Sequence, residues 1–259
     1  MMPKFAANLS MMFKERPFLE RFSAAADCGF KAVEFLWPYD YSIEDLKDAL
    51  GGRLELALFN TRPGDVAKGE WGIAALPGRE REFQDGFEES LEYATKLGCN
   101  LVHVMAGIVP AQEERELFVQ TFIANARKAA ARAQKYGISL TLEALCPEVK
   151  QRYLYKSQYE SMAVRAAIGM DNVFTQLDIF HAQMVDGHLS RLIKDYKGAY
   201  AHVQIASAPG RHEPDEGEIN YPYVFKLLDE SGYKGWIGCE YNPRGRTEEG
   251  LGWMKAFLG

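Results

Sequence analysis

The stretch Val173-Phe-Thr-Gln-Leu-Asp-Ile-Phe-His181 decides how the rest of the chain is read. Val173 to Leu177 is the apolar, β-rich run of a buried strand, and such a strand does not finish on a carboxylate unless something pairs with it. Asp178 therefore needs a partner, and an imidazole, His181, follows three residues later. The same pattern recurs in Ile138-Ser-Leu-Thr-Leu-Glu143, Tyr200-Ala-His-Val-Gln204 and Trp236-Ile-Gly-Cys-Glu240. Each is a β-type run closing on an oxygen-bearing side chain. One acid at a strand end is commonly a helix cap or an ion-pair partner. Four such oxygens on successive strands predict a metal site.

Outward from these runs, strand-like and helix-like segments alternate along the whole chain. Expected strands are Phe5 to Leu9, Ala32 to Leu36, Leu54 to Phe59 and Leu101 to Met105, followed by the four runs above. Helices are expected over Pro17 to Cys28, from Ser42 to the Gly51-Gly52 stop, and over Glu80 to Leu97, where Phe83, Phe87, Leu91 and Ala94 recur at helical spacing before Gly98. Further helices are expected over Glu113 to Tyr136, Ser157 to Ile168, Leu189 to Tyr196, Pro222 to Ser231 and Thr247 to Phe257, the last opened by the capping-type sequence Thr-Glu-Glu. Eight strands alternating with eight helices, without a compositional break or linker, predict one (β/α)₈ TIM barrel covering residues 1–259 as a single domain.

Composition narrows the partners. With 47% hydrophobic and 25% charged residues the 259-residue chain can bury a full core, and its net charge of −6 argues against a surface built for nucleic acid. No run approaches the roughly eighteen apolar residues of a membrane span, and the amino terminus lacks the apolar core of a signal peptide. A cytoplasmic protein is expected. Cys28, Cys99, Cys146 and Cys239 are too widely spaced for a zinc or redox motif and read as reduced, small apolar fillers. Aromatics on the outer helices, such as Phe18, Phe22, Phe122 and Tyr159, leave a homo-oligomer open.

In a TIM barrel the strand ends share one mouth, so Glu143, Asp178, Gln204 and Glu240 should converge there. Three carboxylates in one cleft raise each other's pKa, and a divalent cation relieves the repulsion. An all-oxygen ligand set suits Mg²⁺ or Mn²⁺ better than zinc, and Ca²⁺ could occupy the same cage in a crystal. The loop from Asn60 to Arg79, rich in turn formers around Trp71, is long enough to be functional. Trp71 either covers the site or pins this loop to the barrel.

Seven stretches carry a resemblance: Ala-Asn-Leu-Ser-Met-Met12, Val-Glu-Phe-Leu-Trp-Pro-Tyr39, Leu-Pro-Gly-Arg79-Glu, Asp178-Ile-Phe-His181, His202-Val-Gln204-Ile-Ala, Gly-Glu-Ile-Asn-Tyr221 and Gly-Cys-Glu240-Tyr. Together they resemble the hydroxypyruvate isomerase family of xylose-isomerase-like barrels, over essentially the whole chain. The resemblance implies an isomerase of small sugar acids with one divalent metal held by Glu143, Asp178, Gln204 and Glu240, and with Glu143 and Glu240 as its acid/base pair. It also implies that His181 contacts a substrate oxygen, the other reading being a structural bond to a neighbouring loop. The stretches Val-His103-Val-Met-Ala-Gly and Glu143-Ala-Leu-Cys-Pro147 look more like the branch that interconverts 2-oxo- and 3-oxo-tetronate than the hydroxypyruvate branch.

The chemistry asks for such residues on its own account. Moving a carbonyl between adjacent carbons of a hydroxy-ketone requires a base, an acid and stabilisation of an enediolate. Arg211, after the Tyr200–Ile205 strand, suits a substrate carboxylate through its fork of N–H groups, and Lys150 competes for that role. His103 and His202 lie inside strands and read as hydrogen-bonded core histidines, and His212 as a loop residue without chemical consequence. A ketose 3-epimerase would need the same acid, base and metal, and a non-catalytic sugar-acid-binding barrel is a further reading. Metal-dependent endonucleases for abasic DNA share the fold, but five histidines and an acidic balance do not suit them.

Overall fold

The computed structural model describes residues 3–110 and 114–257. Eight parallel strands close into a barrel in sequence order: β1 Phe5–Asn8, β2 Ala32–Phe35, β3 Glu55–Asn60, β4 Leu101–His103, β5 Ser139–Glu143, β6 Val173–Asp178, β7 Tyr200–Ile205 and β8 Ile237–Cys239. Around them run α1 Glu20–Asp27, α2 Ile43–Leu50, α3 Glu80–Leu97, α4 Arg115–Gln134, α5 Gln158–Ile168, α6 Ile179–Val185, α7 Leu189–Asp195, α8 Tyr221–Glu230 and α9 Thr247–Gly250. The expected (β/α)₈ barrel is the observed fold. The expected start of the fourth helix at Glu113 lies outside the described residues.

Local chemistry sets most boundaries. Ser42 caps α2 by accepting from the Asp45 N–H, and Ser157 caps α5 by accepting from Glu160. Gly51, Gly98 and Gly169 end α2, α3 and α5 in the left-handed conformation that glycine adopts without penalty. Phe83, Phe87, Leu91 and Ala94 form the buried stripe of α3, as their spacing predicts. Phe22 and Phe122 are fully buried between helices and barrel, whereas Tyr159 is exposed.

Two expectations need correction. Residues 179–185 form α6, a helix absent from the sequence reading. It is short, and its cap is Asp178 itself, whose Oδ1 accepts from the N–H groups of Phe180 and His181 at 2.7 and 3.3 Å. At the other end of the chain, Thr247 is no cap. Its hydroxyl accepts from the Phe13 N–H at 2.7 Å, tying the two ends of the chain together, and α9 gives way after Gly250 to a 3₁₀ segment over Leu251–Phe257.

What positions the site is the polar interior of the barrel. Strand side chains alternate between the helices and the barrel axis, and here the axis-facing positions near the mouth hold Asn8, Glu34, Thr141, Glu143, Gln176, Asp178, His202 and Gln204, all buried. Register puts Asn8 beside Glu34, Glu143 beside Gln176 and Asp178 beside Gln204. Buried polar groups persist mostly when hydrogen-bonded, and Asn8, Glu34, Thr141, Gln176, His202 and Gln204 bond to one another across the barrel. Register shifts at Val33/Glu34 and Thr175/Gln176 re-aim two of them. Glycine is required at Gly238, because a Cβ there would collide with the Glu34 carboxylate crossing the interior.

Candidate active site

Glu34 is the hub of this interior. One of its oxygens accepts from Asn8 Nδ2 at 3.0 Å and Gln204 Nε2 at 2.8 Å, while the other meets His202 Nε2 at 2.6 Å. From there the network reaches Glu240, whose Oε2 accepts from Asn8 Nδ2 at 3.0 Å and Gln204 Nε2 at 2.5 Å. On the opposite side Gln204 Oε1 accepts from Gln176 Nε2 at 2.6 Å, and Gln176 Oε1 accepts from the Thr141 hydroxyl at 3.0 Å. Gln204 thus turns its NH₂ toward the carboxylates and its carbonyl oxygen away from them. To offer that oxygen to a cation, the amide must turn over.

Glu143, Asp178 and His181 form the other half of the site. Each offers a ligand atom, and these atoms lie within 4.8 Å of one another, all buried. Glu143 Oε1 and Asp178 Oδ2 have no hydrogen-bond partner among the described residues. Two buried, unpartnered carboxylate oxygens side by side fit a hard cation, which would satisfy both. His181 Nε2 stands 3.6 Å from Asp178 Oδ2 and 3.9 Å from Glu143 Oε1. Its Nδ1 accepts from the Cys146 backbone N–H at 3.1 Å. A neutral ring so bonded carries its proton on Nε2 and has no lone pair there for a metal. The imidazole therefore faces the site as a donor.

The electrostatics follow from burial. Burial first, then the charges of Glu240 and Asp178, hold the Glu143 pKa well above the ordinary carboxylate value. Burial pushes Glu240 up to about 8 against the opposing pull of Arg211, and it raises Asp178 as well. It also keeps His181 well below its ordinary value and brings His103 down to about 3, so both rings are neutral.

Arg211 stands between the halves. Its Nη2 donates to Glu240 Oε1 at 2.6 Å and lies 3.8 Å from Asp178 Oδ2. The residue expected to face a substrate carboxylate thus faces the chain's own acids. Lys150 lies over the Trp71 ring, 4.0 Å from its centroid, and Trp71 packs edge-on against Trp37. Trp71 and Lys150 therefore form one wall. The loop carrying Trp71 is closed on itself by the Gly72–Pro63 backbone bond at 2.7 Å and tied to the segment after β4 by the Ala75–Ala106 bond at 2.8 Å and a Gly72–Ala106 bridge.

The histidines divide. His202 is the expected hydrogen-bonded core residue, bonded to Glu34. His103 is not: neither ring nitrogen has a partner among the described residues, and Nδ1 lies 3.6 Å from Glu143 Oε2, where it faces the site. His212 ties two loops through the Asn242 carbonyl at 2.8 Å. The four cysteines are free thiols. Sequence reading missed Asn8, Glu34 and Gln176. The β-run ending near an acid in Ala32-Val-Glu34-Phe was the available signal for the hub.

Comparison with known proteins gives this site its class. The model of the xylose isomerase-like TIM-barrel family matches residues 22–257. The chain is 57% identical over 257 residues to 2-oxo-tetronate isomerase of Haemophilus influenzae, covering 99% of this chain and 100% of that one. It is 42% identical over 257 residues to hydroxypyruvate isomerase of Escherichia coli, again covering 99% and 100%. A crystal structure described as AP endonuclease, family 2, from Brucella melitensis matches with a TM-score of 0.97 at 49% identity over 99% of both chains. D-psicose 3-epimerase from Clostridium cellulolyticum H10 matches with a TM-score of 0.78 at 19% identity, over 96% of this chain and 89% of that one, a likeness of fold alone.

The chain belongs to the xylose isomerase-like TIM-barrel family. It is an isomerase of the hydroxypyruvate isomerase and 2-oxo-tetronate isomerase type. Among the described residues no helix is long and apolar enough to cross a membrane.

Proposed function

We propose that the protein interconverts 2-oxo- and 3-oxo-tetronate, with the three-carbon pair hydroxypyruvate and tartronate semialdehyde as the lesser substrate. The reading rests above all on one observation: two buried carboxyls with raised pKa, Glu143 and Glu240, end strands three positions apart around the same mouth. Acids held this way can share the charged and protonated roles near neutral pH. The 57% identity to a 2-oxo-tetronate isomerase favours the four-carbon substrate over the three-carbon one.

In this reading the ionised carboxylate of the pair removes the proton from the carbon bearing the hydroxyl. The electrons of that C–H bond form the carbon–carbon double bond of an enediolate. A proton returns to the neighbouring carbon, the hydroxyl proton passes to the former carbonyl oxygen, and the former hydroxyl oxygen becomes the carbonyl, so the formula is unchanged. His181, neutral and with its proton on Nε2, donates to a substrate oxygen and stabilises the charge that gathers there. Arg211, paired with Glu240, and Lys150, stacked on Trp71, would supply partners for the substrate carboxylate in this reading.

Glu143, Asp178, Glu240 and a turned-over Gln204 would hold a divalent cation, Mg²⁺ or Mn²⁺ by the hardness of their oxygens. When bound, such a cation offsets the carboxylate charges and polarises the substrate carbonyl. The same reading makes the chain a single catalytic domain for a small sugar acid, with neither nucleic acid nor membrane as partner. The likeness to ketose 3-epimerases supports the barrel but not their chemistry.

The test is a substrate comparison: purified protein with 2-oxo-tetronate, hydroxypyruvate or D-fructose, each with Mn²⁺, Mg²⁺ or EDTA. Fastest conversion of 2-oxo-tetronate, lost in EDTA, is the expected result. Turnover of D-fructose alone would replace the reading with an epimerase.

A further inference from the structure

We propose that Arg211 is the residue that makes this site select acids: its guanidinium closes the carboxylate cluster by pairing with Glu240 and Asp178, and only a ligand that brings its own carboxylate draws it off. The inference rests on the sugar-acid isomerase reading and adds a specificity device to it.

The backbone of Arg211 is held in place. Its N–H donates to the Ser207 carbonyl at 2.7 Å, its carbonyl accepts from Asn242 at 2.9 Å, and its φ of 55° is a left-handed conformation that these bonds sustain. Only the side chain is free to respond to a ligand. That side chain is 14% exposed and lies against the Phe180 ring, 5.0 Å from its centroid. One edge of the guanidinium is engaged with Glu240 at 2.6 Å. Its Nε is buried without a partner among the described residues, so a donor remains for an incoming acceptor.

While the guanidinium stays on Glu240, it balances the charge of an acid needed both for proton transfer and for holding a cation. Arginine and cation therefore compete for the same cluster. A substrate carboxylate offers two parallel acceptors to the fork, so the ion pair is exchanged rather than lost. Hydroxyl groups of a neutral sugar carry no charge to exchange, and the arginine stays where it is. Carboxylate and cation binding should then strengthen each other reciprocally.

The experiment uses the full chain, titrated with Mn²⁺ by electron paramagnetic resonance, alone and with D-erythronate or its neutral counterpart erythritol. Wild type should bind Mn²⁺ about tenfold more tightly with D-erythronate and no more tightly with erythritol. R211Q should bind Mn²⁺ alone about tenfold more tightly than wild type, whereas R211K, which keeps the charge, should not. A crystal structure with D-erythronate should show the guanidinium on the ligand carboxylate and off Glu240, and one with erythritol should show it still on Glu240. This comparison needs no variant, so it decides the matter even where R211Q folds poorly. The proposal is overturned if the guanidinium remains on Glu240 with D-erythronate bound, or if a folded R211Q binds Mn²⁺ no better than wild type. Absence of Mn²⁺ binding by both proteins would instead strike down the metal-assisted reading, and this inference with it.

Discussion

The backbone N–H of Cys146 donates to Nδ1 of His181 at 3.1 Å, and this contact fixes where the imidazole keeps its proton. Burial holds the ring neutral, so Nε2 carries the hydrogen and faces Glu143 and Asp178 as a donor. The close grouping of these three side chains suggests a ligand triad; the proposed mechanism instead uses the Nε2 hydrogen toward the substrate.

His181→Ala separates the two roles. The expected outcome is a fall in kcat of about 10²-fold with Mn²⁺ affinity changed by less than about tenfold. Isothermal titration with Mn²⁺ beside steady-state kinetics measures both. Loss of Mn²⁺ binding would make His181 a ligand.

Glu34→Gln tests the hub. The carboxylate accepts from Asn8, His202 and Gln204, and an amide cannot accept from all three through both ends. Leaving one buried donor unpaired costs about 1–3 kcal/mol. For a chain of this size that lowers Tm by several degrees, at roughly 2–4 °C per kcal/mol, which calorimetry resolves. Activity should fall too, because Asn8 and Gln204 also hold Glu240. An unchanged Tm would show that Glu34 is not the anchor described.

The acids and histidines oppose each other in pH. Glu240, raised to about 8, binds its proton more tightly folded than unfolded, so its contribution is complete below about 4.5 and fades as pH climbs toward 8. His103, lowered to about 3, contributes fully above its unfolded value near 6.5 and loses that contribution as pH falls. Between about pH 6.5 and 8 the histidine contribution is constant and only the acid contribution changes. In EDTA, stability should therefore decline across that window by up to about 1.4 kcal/mol per pH unit for each proton involved, read as a falling Tm. Mn²⁺ should reverse the decline, most strongly at pH 8. A flat profile in EDTA, measured by scanning fluorimetry, would contradict the charge balance.

Gly72→Ala probes the wall that carries Trp71. The glycine sits at φ 104°, and an added Cβ would run into the Met105 carbonyl. The loop over residues 61–79 should detach from the barrel and become sensitive to limited proteolysis while the barrel stays folded. Unchanged proteolysis would show that the Gly72 contact does not pin the loop.

How much of this could be read from the sequence follows from where the polar residues fall. Glu143, Asp178 and Glu240 stand at or just past the ends of their strands and Gln204 one residue short of the end of β7, polar side chains closing β-type runs, so they stood out. Glu34 and Asn8 did not, because Phe35-Leu36 and Leu9 continue the apolar run and no termination signal is left. Gln176 and Thr141 sit inside strands and look like ordinary β-residues. The bare nitrogens of His103, one of them 3.6 Å from Glu143, depend on which side chains meet across the barrel, which no local pattern encodes. Helix α6 was hidden because Asp178 serves two ends at once, capping with one carboxylate oxygen and facing the site with the other. The direction of Arg211 depends on a left-handed backbone that an arginine seldom adopts.

The most direct measurement follows the migrating proton. Metal-reconstituted protein is incubated with 2-oxo-tetronate in deuterated water and monitored by NMR, beside Glu240→Gln and Glu143→Gln. The account predicts 3-oxo-tetronate with deuterium at the reacting carbons in wild type, and a loss of at least about 10²-fold in both variants. Conversion at the wild-type rate by either variant, or no conversion by wild type, would contradict an acid/base pair built from Glu143 and Glu240.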